Sequence, residues 1–317
     1  MFVRELAEGQ EIDQVLLVRG RELRKRSDGS EFLRLSLGDR TGRVVAVLFD
    51  AAREMASACD SGTCVRVSGT YERHPRHGAQ ITLSHIEPAD PGEYDLNDLL
   101  DGPLRPVDEM VADLRDLIAQ VRSLHLRALL DRMLGAESPT WPSFRDAPAA
   151  KRYHQAYRHG LLEHSLGVAQ AVAVISTTFP GIDRDVAITG ALLHDIGKID
   201  AYTADPLAID MTDLGKLHGE ISLGYYRVRR VIEDIPNFPP ELAAAVLHII
   251  LSHHGQLEHG SPVVPCTREA TLVHMIDNLG GRLGSFDRLE KELPHGSLWS
   301  AYDRALGGGA YFARQAA

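Results

Sequence analysis

A chain of 317 residues with 44% hydrophobic and 25% charged residues has the composition of a globular protein, and it is long enough for two domains. No apolar run approaches the roughly 20 residues that span a bilayer, and Met1-Phe2-Val3-Arg4-Glu5 lacks the basic-then-apolar order of a secretion signal; a cytoplasmic protein with no membrane partner is expected. The net charge of −10 argues against a uniformly basic nucleic-acid coat, yet nearly all the acidic excess lies beyond residue 90, so a polyanion would meet the N-terminal part at the smaller penalty.

Residues 1–90 read as β structure. Stretches 14–20, 32–38, 44–49, 64–71 and 80–86 are short, rich in β-branched residues and separated by turn formers. A helix-compatible segment, 51–58, falls between the third and fourth. Five strands with a helix before the fourth match the order of an OB-fold, a small closed barrel that binds single strands on its strand 2–3 face and its 1–2 and 4–5 loops. Arg24 and Lys25 enter the 1–2 loop, Phe32 and Phe49 lie on strands two and three, and Tyr71 and Arg73 lead into the 4–5 loop. These are the candidates for holding a nucleic acid; the alternative is that Phe32 and Phe49 are core and the charges only solvate loops. Cys64 opens the fourth strand, but with Cys59 and Cys266 it forms no Cys-x-x-Cys pair, which suggests neither a disulfide framework nor a thiolate zinc site.

Residues 91–150 read as a helical connector. Val107, Met110, Val111, Leu114, Leu117, Ile118, Val121 and Leu124 recur three and four apart, the mark of one amphipathic helix. Its stripe suits a core contact with the next domain, and the same surface would serve a homo-oligomer. Pro139, Pro142 and Pro148 then break the pattern. Beyond 150 the chain is helical in pattern, over about 160–178, 184–196, 217–234, 240–254 and 267–281, so that 151–317 is expected to form an all-α bundle.

Polar residues interrupt those apolar stretches at chemically telling places. His194 and Asp195 follow Leu192-Leu193, His253 and His254 follow Ile249-Ile250-Leu251-Ser252, and His164 and Asp277 lie within apolar segments of their own. Imidazole and carboxylate together suit Mn, Fe, Zn or Mg rather than calcium. Any one of these histidines alone would more often be structural; their joint occurrence points to a metal site.

The order His, His-Asp, His-His, Asp resembles that of HD-superfamily metallophosphohydrolases. More specifically, the chain resembles the YhaM-type 3′-to-5′ exoribonucleases over nearly its full length. The likeness is carried by 149–157 with Lys151, His154 and Tyr157, by Gly160-Leu161-Leu162-Glu163-His164-Ser165-Leu166, by Leu192-Leu193-His194-Asp195-Ile196-Gly197-Lys198, by Leu251-Ser252-His253-His254-Gly255, and by Gly260-Ser261-Pro262 with Ile276-Asp277-Asn278-Leu279. It implies an N-terminal OB-fold barrel, an all-α HD bundle, and a divalent-metal enzyme that removes nucleotides from single-stranded RNA, or DNA, at the 3′ end. It also implies two ions, Mn first, with Mg, Fe or Zn as alternatives. His164, His194, Asp195 and Asp277 would hold one; Asp195, Glu220, His253 and His254 would hold the other, bridged by Asp195 at a spacing of ~3.5–4 Å that activates a shared water as hydroxide. Lys198 would offset charge growing on the phosphoryl oxygens, and Lys151, His154 and Tyr157 would hold the substrate. For Lys198 the plainer reading is a surface lysine at a helix end.

One departure stands out. Where the family pattern Gly-Lys-Leu-x-Gly-His-Ile-x-x-Gly places a ligand histidine, this chain has Glu220, within Gly215-Lys216-Leu217-His218-Gly219-Glu220-Ile221-Ser222-Leu223-Gly224. His218 is the alternative, but two residues earlier is about 200° around a helix. A carboxylate there would favour Mn or Mg over zinc. Two other functions fit the residues: a phosphodiesterase acting on a small nucleotide, and a non-catalytic nucleic-acid-binding module.

Overall fold

The computed structural model describes every residue except 27–28, 50–54, 75–77, 104, 152–154, 204, 206, 208, 292, 294–296 and 314–317. Five strands, β1 (Gln10–Lys25), β2 (Glu31–Asp39), β3 (Gly42–Leu48), β4 (Cys64–His74) and β5 (Gly78–Pro88), close into a barrel in the order β1-β2-β3-β5-β4. The β3–β5 pair is parallel and the others antiparallel. β1 runs well beyond the expected 14–20 because it serves two partners: Gln10–Leu17 pairs with β4 and Leu17–Lys25 with β2, with an irregularity between Val18 and Gly20 where the strand changes neighbour. Its polar ends carry no apolar alternation, so sequence pattern misses them.

Alternation along β2 sets the inside and outside of the barrel. Leu33, Leu35 and Leu37 are fully buried in a core with Ile12, Leu16, Val18, Ala46, Val65, Val67 and Ile81, whereas Phe32, Arg34 and Ser36 take the other face. Each such leucine contributes roughly 1.5–3 kcal/mol by leaving water. Of the helix expected at 51–58, residues 51–54 lie outside the described residues; Met55 and Ala56 are helical and pack on the barrel core.

The remaining regular elements are α1 (Leu96–Leu99), α2 (Val107–Ala119), α3 (Leu124–Leu134), α4 (Trp141–Asp146), α5 (Gly160–Ile175), α6 (Arg184–Leu193), α7 (Lys198–Ala201), α8 (Asp213–Glu233), α9 (Pro240–Ser252) and α10 (Arg268–Lys291). The single helix expected over 107–124 is two. The chain turns between them, where the Arg122 and Ser123 amides both donate to Asp185 Oδ2 at 2.8 Å and the Ser123 side chain caps α3. Leu124 accordingly leaves the buried stripe and is 77% exposed.

The chain divides into two compact units, one of Met1–Asp101 with Phe286–Ala317 and one of Gly102–Ser285. This differs from boundaries at 90 and 150 in two respects. Met110, Leu114, Leu117 and Ile118 share one apolar core with Leu161, Leu166, Ile188, Leu192, Val246 and Ile250, so 102–150 belongs with the helical unit and is no separate connector. Residues 286–317 group with the barrel unit, where Lys291 Nζ donates to Asp101 Oδ1 at 3.0 Å; the segment is therefore not part of the helical unit as 151–317 would have it. Within 102–285, the described regular elements are helices, plus one isolated bridge between Tyr202 and Met211.

Candidate functional site

Four helices of the second unit carry polar side chains to one place. α5 is apolar nearly all round and buries His164 among Leu161, Leu162, Leu166 and Val168. α6, capped at its start by Asp183, which accepts from the Asp185 and Val186 amides, stops at Leu193, so His194 and Asp195 leave it at the turn. α9 stops at Ser252, just before His253, and α10 contributes Asp277. Gly197 makes room for the fifth contributor: a Cβ there would stand 2.0 Å from the Glu220 carbonyl oxygen and 2.5 Å from the Gly224 amide nitrogen. α8, broken at Gly219, can thus run close past the turn and bring Glu220 with it.

The contacts are tight. His164 Nε2 lies 3.2 Å from His194 Nε2, 3.3 Å from Asp195 Oδ2 and 3.0 Å from Asp277 Oδ1. His194 Nε2 lies 3.3 Å from Asp195 Oδ2 and 3.7 Å from Asp277 Oδ1. On the other side of Asp195, His253 Nε2 stands 3.4 Å from Oδ1, and the His253 ring packs edge-on against those of His194 and His254, centroids 5.0 and 4.5 Å away. His164, His194 and Asp277 each offer one atom within 4.8 Å of the others.

Backbone carbonyls settle how the rings are protonated. Nδ1 of His194, His253 and His254 sits 2.7, 2.8 and 2.9 Å from the carbonyl oxygens of Ala191, Ile250 and His259. A carbonyl only accepts, so each Nδ1 bears a proton, and in the tautomer that this fixes the Nε2 lone pair turns inward, toward carboxylates that also only accept. Asp195 Oδ1 and His253 Nε2 are buried and, among the described residues, have no hydrogen-bond partner. Lone pairs facing lone pairs in a buried cluster are the donor set of a divalent cation, and the carbonyl-anchored Nδ1 is how ligating histidines are oriented. The residues therefore fit the metal that the sequence implies.

Electrostatics point the same way. Burial opposes charge on His194, but Asp195 and Asp277 outweigh it and raise its pKa to about 10. His164 is likewise raised, with the same two carboxylates overcoming burial. Burial also pushes Asp195 and Asp277 up, yet Lys198 and the histidines for the first, and His164 and His194 for the second, hold both well below the usual carboxylate range. The two carboxylates thus favour positive charge inside the cluster.

Lys198 is not a surface lysine: it is 8% exposed and its Nζ donates to Asp195 Oδ2 at 2.6 Å. At the rim, Glu220 Oε1 is 3.8 Å from His254 Nε2, and both side chains are partly exposed. His218 is exposed; it is Glu220 that faces His254. Lys151 pairs with Asp210 at 2.5 Å, next to the Tyr202–Met211 bridge. The Tyr157 hydroxyl donates to Glu163, the residue before His164. His154 lies outside the described residues.

On the barrel, Phe32 and Phe49 lie outside the core cluster, with centroids 5.9 Å apart and Phe49 38% exposed. The Arg26 guanidinium sits 3.9 Å above the Phe49 ring, a stacked partner legible only as one more loop cation in the sequence. Arg24 donates to Glu22 Oε2 at 2.8 Å across from Phe32, Lys25 is exposed, and Arg73 is on the exposed end of β4. Tyr71 is half-buried against the barrel core.

A closed five-stranded barrel joined to a helical unit with this His/Asp cluster defines an OB-fold protein carrying an HD domain. An HD domain model matches residues 161–281, and an OB-fold nucleic acid binding domain model matches residues 16–89. The 3′-5′ exoribonuclease YhaM of Bacillus subtilis is 30% identical over 288 residues, 90% of each chain, and that of Bacillus velezensis is 30% identical over the same span and shares. The YhaM of Bacillus licheniformis is 31% identical over 291 residues, again 90% of each chain. The chain belongs to the YhaM 3′-5′ exoribonuclease family and is an enzyme of the phosphodiesterase class. Among the described residues, no helix is long and apolar enough to cross a membrane.

Proposed function

We propose that this chain is a divalent-metal-dependent exonuclease that degrades single-stranded RNA from its 3′ end. The observation that carries the reading is the set of inward-facing acceptors, His164, His194, Asp195, His253 and Asp277, in a pocket whose only nearby ammonium is that of Lys198 among the described residues. His164, His194, Asp195 and Asp277 would hold one ion, and Asp195, His253, His254 and Glu220 a second, Mn or Mg before Zn because Glu220 adds a hard oxygen. A divalent cation, when bound, supplies positive charge at the scissile phosphate and acidifies water.

The protein's own residues do the rest. Lys198 balances Asp195 and keeps two further N–H donors for phosphoryl oxygens. Lys151, paired with the exposed Asp210, exchanges that carboxylate for a phosphate of the strand at little cost, because exposed pairs are worth ~0–1 kcal/mol. The Phe32–Phe49–Arg26 cluster offers bases a stacking surface, with Arg24, Lys25, Tyr71 and Arg73 along the same barrel. Such grip has a use on a polymer that it lacks on a mononucleotide. The bundle that carries the ligands is all-α in this reading, and the enzyme works in the cytoplasm.

The test follows a 5′-labelled single-stranded RNA and its DNA counterpart on a denaturing gel with Mn2+, Mg2+, Zn2+ or chelator, wild type beside Asp195→Ala. A metal-dependent ladder shortening from the 3′ end, absent from the variant, is expected. Intact oligomers under every cation would transfer the assignment to a small-nucleotide phosphodiesterase, which hydrolysis of a mononucleotide ester would reveal, or to binding alone.

A further inference from the structure

His274 plays no part in the ligand set, yet it touches both halves of the site. It lies one helical turn before Asp277 on α10. Its Nδ1 is 2.7 Å from the His253 carbonyl oxygen, so the ring donates to the backbone of the turn that presents His253 and His254. That turn is built to receive it. Gly255 has φ +81, and a Cβ there would fall 2.1, 2.3 and 2.5 Å from three atoms of the His274 ring, so the ring occupies the space that a side chain would take. The Gly255 amide closes the turn on the Ser252 carbonyl at 2.8 Å.

We propose that His274 is a positioning residue: it ties the helix bearing Asp277 to the turn bearing His253 and His254 and so sets the width of the cation site. The inference rests on the metal reading above. Asp277 Oδ1 lies 3.0 Å from His164, while His253 Nε2 faces Asp195 at 3.4 Å; one imidazole therefore links the two ligand groups that flank Asp195. Cation affinity is sensitive to such supports, whose loss costs about 10–100-fold.

The two nitrogens of the ring make the test specific. Asn places its side-chain N–H2 where Nδ1 lies, whereas Gln places it where Nε2 lies, and both remove the ring from Gly255. Mn2+ binding to wild type, His274→Asn and His274→Gln is titrated by calorimetry, with the melting temperature of each chelated protein as the control for folding. The expectation is near wild-type Mn2+ affinity for His274→Asn and a loss of about 10-fold or more for His274→Gln, at similar melting temperatures. Equal losses in both variants would reduce His274 to ring packing, and wild-type affinity in both would remove it from the site; either overturns the proposal. Absence of Mn2+ binding by the wild type overturns the metal reading itself, and this inference with it.

Discussion

Asp195 Oδ1 and His253 Nε2 face each other at 3.4 Å, both buried, both acceptors, with no hydrogen bond between them. A folded protein keeps such a pair only if something positive joins it. Chelation should therefore lower the melting temperature and Mn2+ restore it, by an amount equivalent to about 4 kcal/mol when the ion is a thousandfold above its dissociation constant. A melting temperature indifferent to Mn2+ and to chelator would contradict this.

The direction of the pH dependence differs between the two forms. In the metal-free protein His194 has its pKa raised from 6.5 to about 10, so the stability it contributes is complete below pH 6.5 and is lost as the pH climbs toward 10. A cation needs the neutral ring, so Mn2+-induced stabilisation should grow as pH rises over the same window. Calorimetric titration in buffers of different ionisation enthalpy should register protons released on binding, and none released would argue that the protonated imidazoles do not become ligands.

The ammonium of Lys198 touches Asp195 Oδ2 at 2.6 Å in a buried setting, closer than the His164 and His194 rings at 3.3 Å. Lys198→Met removes the nearest of the charges that compensate that buried carboxylate and should cost roughly 3 kcal/mol in chelator, the low end for breaking a buried pair because His164 and His194 remain beside it, judged by urea denaturation. Mn2+ supplies the missing charge, so the penalty should shrink in its presence. The same penalty with and without the ion would place the cation away from Asp195.

Much of this arrangement is legible in the sequence, because β2 alternates, α5, α6 and α9 are apolar around their histidines, and Gly197-Lys198 follows His194-Asp195. What escapes has physical causes. The ends of β1 are held by backbone pairing to β4 and β2 rather than by burial, so Glu11, Asp13, Arg21 and Glu22 show no apolar signal. The break before α3 depends on Asp185, more than 60 residues along the chain, accepting from Arg122 and Ser123. Residues 286–317 rejoin the barrel unit through contacts such as Lys291 with Asp101, which no local pattern announces. That Glu220 faces His254 while His218 is exposed depends on the path of α8 past Gly197.

That path is itself testable. Gly197→Ala inserts a carbon where the Glu220 carbonyl oxygen and the Gly224 amide leave only 2.0 and 2.5 Å, and backbone atoms cannot swing aside as a side chain would. A loss of about 1–3 kcal/mol in urea denaturation is expected, together with weaker binding of the second ion proposed to involve Glu220. Wild-type values on both counts would mean that α8 can retreat without consequence.

Removing the barrel's exposed ring should affect strands and spare small substrates. Phe49→Ala loses the surface on which Arg26 and Phe32 converge and should weaken single-stranded RNA binding by about 1–3 kcal/mol in a fluorescence anisotropy titration. Hydrolysis of a mononucleotide ester should be unchanged. Undiminished RNA affinity would assign the grip to another part of the chain.

Glu220 offers the sharpest test of the proposed two-ion site. It reaches the rim at 3.8 Å from His254, whereas His164 and His194 stand at Asp195 Oδ2 with Asp277 Oδ1 3.0 Å from His164. Glu220→Gln keeps the shape and removes the charge, so it should abolish the weaker of two Mn2+ binding steps and leave the tighter one near its wild-type value. Glu220→His should shift the second step toward Zn2+, because imidazole is a softer ligand than carboxylate. His218→Ala, at an exposed position, should change neither step. Metal stoichiometry by calorimetry and elemental analysis decides the matter: two ions retained by Glu220→Gln, or one lost by His218→Ala, would move the second ligand from Glu220 to His218.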